Sequence, residues 1–284
     1  MTATTSGGPS GGGPEGMGPE GMGSKGGGSK GGDMNRRFWL TRALATAGVM
    51  TLAACQKLGE KGTQLLVSAE SLTKAAQRLI LPRDALAPEY RLDQISSDFK
   101  PNGSIDPAAA DYLALKANAF ADYRLAIDGL VERPMALSLA ELRMRPARTQ
   151  ITKHDCVEGW TSIGQWTGVR LETLIDEAGL KPEARFVVFH CFDALTQTED
   201  GPRYYESIDL VDLRHPQTLL AYDMNGQVLG VPHGAPLRLR VERQLGYKQA
   251  KYIRRIEVVA SFDHIEGGNG GYWPDRGYEW YAGI

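Results

Sequence analysis

The chain lacks an excess of charge of either sign. Its 284 residues include 32 basic and 34 acidic side chains, so the formal net charge is only −2. Nucleic-acid-binding domains usually carry a basic face and a high isoelectric point, and this composition argues against that class. With 42% hydrophobic and 23% charged residues, the chain has an ordinary globular composition and is long enough for one large domain or two small ones.

Cysteine is also scarce and occurs only at positions 55, 156 and 191. Three thiols cannot all be paired with one another. The sequence has no Cys-X-X-Cys pair and no Cys/His spacing typical of a zinc site or of covalently attached haem. At least one of the three thiols therefore has another role.

The first part of the chain has too few apolar residues to form a core. Residues 1–33 are dominated by Gly, Ser, Pro and Met, and they repeat the pentapeptide Pro-Glu-Gly-Met-Gly. Such a segment cannot bury enough apolar surface to offset the entropy lost on ordering. We predict that residues 1–33 are disordered, and the sequence leaves open whether Met1 or Met34 is the true start.

Residues 34–54 have the pattern of an export signal. Arg36 and Arg37 precede a weakly apolar run over residues 43–54, which ends in Leu-Ala-Ala before Cys55. This order is typical of a twin-arginine signal followed by a lipoprotein cleavage site, although a short buried helix after chance arginines would show the same pattern. Because the run is too short to span a membrane, we expect a lipidated Cys55 that anchors the chain to a membrane surface in the periplasm.

Residues 55–90 are predicted to form a tether and an amphipathic helix. Apolar residues recur at helical spacing over residues 65–80, and prolines then end the pattern. We expect this helix to pack against the following domain. The alternative, a helix lying on the membrane surface, is disfavoured because the polar face lacks a dense row of Lys and Arg.

Residues 91–284 mix strand and helix patterns without a regular alternation. Apolar, β-branched and alternating stretches predict strands at residues 123–131, 185–191, 236–241 and 252–260. Residues 169–180 predict a helix that ends at Gly179. Ser138, with Glu141 three positions later, predicts a capped short helix. This irregular mixture indicates an α+β fold rather than a doubly wound sheet.

Cys156 is the residue with the clearest chemical implication. It lies in the sequence His-Asp-Cys-Val-Glu-Gly-Trp at residues 154–160, and such polar neighbours do not suit a cysteine packed in a core. A thiolate is a soft, strongly donating metal ligand. Two later Gly-containing segments supply Arg238, Lys248 and Lys251, donors that suit an anionic cofactor. One soft ligand followed by several cations suggests a phosphorylated metal cofactor.

This order of motifs resembles the catalytic domain of the sulfite oxidase superfamily, the molybdopterin-binding oxidoreductases. The resemblance runs from about residue 99 to the C-terminus, and it is stronger to the bacterial periplasmic branch that includes the protein-methionine-sulfoxide reductase catalytic subunit. It implies a mixed, β-rich fold and a molybdenum ion held by the pterin dithiolene sulfurs, oxo or hydroxo ligands and Cys156. A twin-arginine signal agrees with this, because that route exports proteins already folded around a cofactor.

The resemblance also implies further residues around the cofactor. Asn102 lies in a loop that covers the pterin, His233 contacts the pterin ring and Arg238 contacts its phosphate. A second phosphate-binding segment comprises Gln249, Ala250 and Lys251.

Two more residues have both a functional and a packing interpretation. Cys191 matches a position where a threonine approaches the cofactor, so it would line the site without binding metal, whereas its place near the end of a buried strand favours core packing. Tyr204 matches an active-site tyrosine that can donate a proton or orient substrate oxygen; burial of its ring in the core is the alternative. Trp273 and Trp280 are expected to seal the domain.

The departures from the superfamily bear on the substrate. Sulfite oxidases have an arginine just after the metal cysteine, whereas residues 157–160 here are Val-Glu-Gly-Trp, and the carboxylate of Glu158 would repel sulfite. His233, in contrast, is the residue of the sulfite oxidases, since the reductase branch has asparagine there. We expect two-electron oxygen-atom transfer that reduces an S-oxide or N-oxide. The alternatives are a sulfite dehydrogenase and a cofactor-free surface binding protein with the same fold.

The end of the chain bears on assembly and electron supply. Only a few dozen residues follow Lys251, so we expect no C-terminal immunoglobulin-like dimerisation domain, which needs about 100 residues, and a monomeric catalytic domain. Without a haem motif, electrons should come from a separate partner, which we expect to be a membrane haem protein or a quinone-linked protein. The expected substrate is a small-molecule or protein sulfoxide.

Overall fold

Two five-stranded sheets make up most of the computed structural model, which describes residues 84–196 and 201–284 and the single residue Ala75. All of these belong to a unit that runs from Leu65 to Ile284. The predicted disordered segment, the export signal and most of the tether lie outside the described residues.

The first sheet has the order β2-β1-β10-β5-β6. Its strands are β1 (Leu125–Gly129), β2 (Met135–Leu137), β5 (Phe186–Ala194), β6 (Arg203–Asp209) and β10 (Ile253–Val259). β1 and β10 pair in parallel, and the other neighbours are antiparallel.

The second sheet has the order β3-β4-β7-β8, with β9 also paired to β7, and all its pairs are antiparallel. Its strands are β3 (Ala147–Asp155), β4 (Thr161–Arg170), β7 (Leu219–Met224), β8 (Gln227–Val228) and β9 (Arg238–Arg240). β3 and β4 form a long hairpin in which Asp155 pairs with Thr161. The residues between these two positions form the hairpin tip.

Short helices connect the strands in the described part of the chain. They are α1 (Ala110–Ala117), α2 (Leu139–Arg143), α3 (Leu171–Ala178) and α4 (Leu210–Leu213). The predicted cap of α2 is confirmed: the Glu141 N–H donates to Ser138 Oγ at 3.2 Å, and the Ser138 N–H donates to the Glu141 carboxylate at 2.8 Å. Gly179 ends α3 at a φ of 73°, a left-handed conformation that glycine adopts readily.

Apolar side chains of both sheets and the helices form the main core. α3 contributes Leu171, Leu174, Ile175 and Ala178, whose spacing places them on one helix face. Each larger side chain contributes about 1.5–3 kcal/mol on full burial. A smaller cluster, which includes Phe99, Trp166 and Leu219, lies on the second sheet. The fold is mixed and sheet-rich with few helices, as expected from the sequence.

The segment predicted to be a tether contacts the sheets well before residue 91. The Ala87 N–H donates to Gln217 Oε1 at 2.8 Å, and the Tyr90 N–H donates to the Ile151 carbonyl at 2.9 Å. Glu89 also forms a β-bridge with Thr152. No helix in the described ranges is long and apolar enough to cross a bilayer.

Candidate active site

A cleft of about 560 Å³ opens where the tip of the β3–β4 hairpin meets the ends of β5 and β6. It is lined by Asn102, Gly103, Ser104, Cys156, Val157, Glu158, Asp193, Leu195, Tyr204, Gly246, Tyr247, Gln249, Lys251 and Trp273. Five of the ten residues that the sequence assigned to a site, at positions 102, 156, 204, 249 and 251, therefore lie around one space.

Cys156 is held in a tight turn at the hairpin tip. Its N–H donates to the Trp160 carbonyl at 3.0 Å, and its own carbonyl accepts from the Gly159 N–H at 3.0 Å. Gly159 closes the turn at a φ of 84°. The Cys156 side chain is half-buried, and burial raises the pKa of its thiol. A metal ion would overcome that effect, because coordination deprotonates a thiol outright.

Arg238 is a buried cation that has no carboxylate partner among the described residues. Its side chain is fully buried, and its guanidinium carbon lies 4.7 Å from the centre of the Trp166 ring. One nitrogen donates to the His233 carbonyl at 2.8 Å, while Nε and Nη2 have no partner within the described chain. Burial and the neighbouring Arg240 lower the pKa of Arg238 to about 9. Arg240, in contrast, is paired with Glu242 at 2.6 Å.

Several other buried polar atoms near the cleft lack a partner in the described ranges. They are Asn102 Oδ1, His154 Nε2, Asp193 Oδ1, His233 Nδ1 and Gln249 Oε1. For His154, Arg240 donates to Nδ1 at 3.2 Å, so Nε2 carries the hydrogen and is an unused donor. Buried polar atoms in folded proteins are normally paired. A concentration of unpaired donors and acceptors beside an unbalanced cation fits a polar, anionic ligand.

Lys251 lines the cleft and lies on the other side of Gly234 from Arg238. Its ammonium donates to the carbonyls of Asn102, Ser104 and Pro232 at 2.5, 2.6 and 3.1 Å, which fastens the 102–104 loop over the site. Gly234 permits this approach, because a Cβ there would lie 3.0 Å from Lys251 Cγ and 3.1 Å from Arg238 Cβ. Burial and the nearby Arg238 lower the pKa of Lys251.

Lys248 is placed differently from the sequence-based expectation, Cys191 follows the packing alternative that the sequence left open, and Ala250 does not line the cleft. Cys191 has no exposed surface and belongs to the main core, so it does not line the cleft. Lys248 is fully buried in an ion pair with Glu206, and its charge serves that carboxylate rather than a cofactor. Ala250 is buried, and its carbonyl accepts from the Leu239 N–H at 2.8 Å, which leaves its assignment to the phosphate-binding segment a prediction.

Tyr204 lines the cleft as predicted, but its hydroxyl is already engaged. The hydroxyl donates to the Tyr247 carbonyl, and the ring stacks on Tyr272 with 5.5 Å between the ring centres. Burial raises the pKa of Tyr204 well above its ordinary value. This arrangement suits a structural wall of the cleft and does not support proton donation by Tyr204.

Glu158 at the cleft edge is not an isolated negative charge. Lys100 Nζ lies 3.5 Å from its carboxylate, and the Trp160 indole N–H donates to the same oxygen at 2.9 Å. These contacts lower the pKa of Glu158, so the carboxylate is ionised and partly neutralised. The expectation of an uncompensated repulsion toward sulfite was therefore too strong.

Asp193, Ser104 and Trp273 were not predicted from the sequence to lie at the site. Trp273 lines the cleft, although it was predicted only to seal the domain. Trp280 does pack as predicted, against Phe186 and Phe262. Asp193 could have been found from the sequence only as a single carboxylate near the end of a mostly apolar predicted strand.

A half-buried thiol at one side of a cleft and a buried, unbalanced arginine beside it are the donors that suit a phosphorylated cofactor. Comparison with known proteins agrees. The model of the oxidoreductase molybdopterin binding domain family matches residues 112–264. The chain belongs to this family of molybdopterin-binding oxidoreductases.

Individual relatives narrow the comparison. YedZ1 of Azospira oryzae, provisionally assigned as a protein-methionine-sulfoxide reductase subunit, is 34% identical over 249 residues, 87% of each chain. The protein-methionine-sulfoxide reductase catalytic subunit MsrP of Campylobacter jejuni is 35% identical over 165 residues, 55% of each chain. The sulfane dehydrogenase SoxCD of Paracoccus pantotrophus is 27% identical with a TM-score of 0.44, over 50% of this chain and 39% of that one. This last resemblance is too partial to bear on the reaction.

Proposed function

We propose that this protein reduces S-oxides, methionine sulfoxide in particular, with a molybdenum-molybdopterin cofactor, and that it is the catalytic subunit of a two-protein system. The proposal is supported by two relatives that carry the methionine-sulfoxide reductase name and match 87% and 55% of this chain. It is also supported by the character of the cleft around Cys156.

The residues present fit the cofactor. Cys156 would supply the protein's thiolate to molybdenum, Arg238 would bind the phosphate through its unpaired Nε and Nη2, and Lys251 would contribute positive charge beside it. Asn102, His233 and Gln249 each have an unpaired buried atom for the pterin. When bound, the cofactor supplies two-electron oxygen-atom transfer. The chain's residues hold it, exclude water and shape the space in which the substrate binds.

The observation that carries the choice of substrate is the apolar wall beside Cys156. Val157, Leu195, Tyr247 and Trp273 line the cleft there, and no arginine is among the described residues that line it. Sulfite would lose its hydration against this wall, and Lys251, a cation that lines the cleft, directs its three N–H groups to backbone carbonyls. A neutral sulfoxide loses less, and its thioether product can contact the aromatic rings.

The location and the partner are part of the proposal. The export signal with Cys55 supports a lipid-anchored protein in the periplasm. Electrons would arrive from a separate membrane haem protein or quinone-linked protein, and the designation of the relatives as subunits supports a partnered enzyme.

The test is to purify the exported protein, measure its molybdenum and pterin, and compare reduction of methionine sulfoxide by a reduced viologen dye with oxidation of sulfite. We expect about one molybdenum per chain and efficient sulfoxide reduction. Cys156→Ser should lose most molybdenum and all turnover, because a hydroxyl is a poorer donor than a thiolate. Absence of molybdenum and pterin would instead support a cofactor-free binding protein.

Sulfite dehydrogenase remains the second candidate, because His233 is the residue found in the sulfite oxidases. His233 contacts the site through the Arg238 bond to its carbonyl. Efficient sulfite oxidation without sulfoxide reduction would establish this candidate over the first.

A further inference from the structure

Asp193 is a buried carboxylate in the wall of the cleft that contains Cys156. It is the penultimate residue of β5 and is only 3% exposed. One oxygen, Oδ2, accepts a hydrogen bond from Ser104 Oγ at 2.5 Å. The other oxygen, Oδ1, is buried without a partner in the described part of the chain. A carboxyl group with one oxygen held and one free is suited to exchange a proton with a molecule bound in the cleft.

The titratable groups that influence Asp193 come from several elements. They are Tyr112 on α1, Cys191 on β5, Tyr204 on β6, and Lys251 and Tyr252 before β10. Burial raises the pKa of each tyrosine and of Cys191, so these groups remain neutral near pH 7. Lys251 is the basic group in this set; burial and the nearby Arg238 lower its pKa to about 7, and its three N–H bonds are directed to three carbonyls.

The local environment shifts Asp193 toward its protonated form, although the carboxylate still predominates at pH 7. Burial raises the pKa of this carboxyl to about 6, against the opposing effects of Ser104 and Lys251. Since a bound anionic cofactor would add negative charge nearby, it would favour the acid form further.

The other acidic groups around the cleft are less suited to release a proton. The Tyr204 hydroxyl donates to the Tyr247 carbonyl, and Glu158 is ionised because its pKa is lowered. The thiol of Cys156 is required as a metal ligand in the proposed function.

We propose that Asp193 donates a proton to the oxygen atom that leaves the S-oxide. The inference rests on the proposed function. In the overall reaction the S–O bond breaks, sulfur gains two electrons that the partner protein supplies through the cofactor, and the oxygen leaves as water with two protons. Asp193 gives one of these protons and is reprotonated from solvent, and solvent supplies the other.

The test compares the cofactor-loaded wild type with Asp193→Asn and Asp193→Glu. Asn has nearly the same shape and can still accept from Ser104, but it has no proton to give. Asp223→Asn is a matched control, because Asp223 lies on β7 outside the cleft lining and pairs with Arg143 of α2. The rate of methionine sulfoxide reduction by a reduced viologen dye is measured as kcat and KM from about pH 5 to pH 8.5, a window that brackets the Asp193 pKa of about 6.

We expect kcat of Asp193→Asn to fall roughly 100-fold or more, the usual contribution of a positioned acid, while KM and the control variant change little. The wild-type rate should decline as pH rises past the Asp193 pKa, because the acid form is required, and this decline should disappear in Asp193→Asn. Asp193→Glu should recover part of the lost rate. Unchanged kcat and an unchanged pH profile in Asp193→Asn would overturn the inference.

Two measurements do not depend on turnover. Pterin and molybdenum content should be unchanged in Asp193→Asn, and a loss of cofactor would overturn the inference by showing that Asp193 holds the cofactor instead. Infrared spectra should show a protonated-carboxyl band that disappears on raising the pH in wild type and is missing from Asp193→Asn. A wild type that reduces no S-oxide would overturn the proposed function itself, which separates that failure from failure of Asp193 alone.

Discussion

At the residue scale, Arg238 indicates a binding site because its buried guanidinium has no carboxylate partner among the described residues. A buried guanidinium normally has a carboxylate partner, as Arg240 has in Glu242. Arg238 has only a ring face and one carbonyl among the described residues. Leaving a buried cation unpaired is costly, so the arrangement is reasonable where a phosphate supplies the missing charge.

Arg238→Gln should therefore reduce cofactor retention without harming the ligand-free fold. A charge-assisted hydrogen bond contributes about 1.5–3 kcal/mol, which corresponds to at least roughly tenfold weaker retention. The pterin content per chain, measured after purification at low and high salt, tests this. Arg255→Gln is the control, because Arg255 forms ion pairs with Asp128 and Glu257. Full pterin content in Arg238→Gln would show that the phosphate binds elsewhere.

Glu158 and Lys100 should have opposite effects on substrate choice. Their side chains are 53% and 61% exposed, so solvent screens their charges. We expect Glu158→Gln to narrow the preference for methionine sulfoxide over sulfite and Lys100→Gln to widen it, each by roughly fivefold at most, as for an exposed ion pair. The ratio of kcat/KM values measures this. If the kcat/KM ratio changed by more than this and added salt did not reduce the change, the charges of Glu158 and Lys100 would be acting on the substrate without solvent screening.

At the scale of elements, glycine turns decide how closely the parts of the site approach. Gly159 closes the turn that presents Cys156, and nothing lies within 4 Å of the position where its Cβ would be. Gly234 lies instead between Lys251 and Arg238. The first glycine is required by backbone conformation, and the second is required by both conformation and space.

Gly234→Ala should weaken cofactor binding more than its backbone strain alone explains. Its φ of 114° is unfavourable for alanine, and the added methyl would press Lys251 away from Arg238. Gly226→Ala is the matched control, since Gly226 has a φ of 74° and open space around it. Left-handed alanine costs about 1–2 kcal/mol, so thermal unfolding should show a loss in both variants. Only Gly234→Ala should lose pterin, and equal pterin content in the two would contradict this.

At the scale of the whole molecule, the cleft joins the two sheets. Cys156 comes from a hairpin of the second sheet, whereas Asp193 and Tyr204 come from the first. A ligand bound here would contact both sheets. Binding to the folded state alone stabilises it, because unfolding must then release the ligand.

Export of the folded chain should depend on the arginine pair at positions 36 and 37. Replacing Arg36 and Arg37 together with lysine should block export, because the translocation machinery recognises the arginine pair and not only its charge. Fractionation of cells that express the double variant tests this, with cofactor content of the retained protein as the measure of folding. Normal periplasmic levels of the variant would contradict the twin-arginine interpretation.

The sequence by itself determined the features that depend on neighbours along the chain. The Ser138 cap, the end of α3 at Gly179 and the strand around Val187 follow from short-range patterns, and the structure confirms them. Cys156 and Arg238 could also be identified, because each lies in a contiguous motif with few alternative uses.

Only the tertiary structure decided which charges are available to a ligand. Lys248 is taken up by Glu206, 42 positions away, and Asp193 is held by Ser104, 89 positions away. The pairing of β5 with β6 is irregular between His190 and Ala194, and near this irregularity Asp193 lines the cleft while Cys191 is buried in the core. Because a one-residue change of register moves a side chain to the opposite face of a sheet, composition and spacing along the chain do not contain this information.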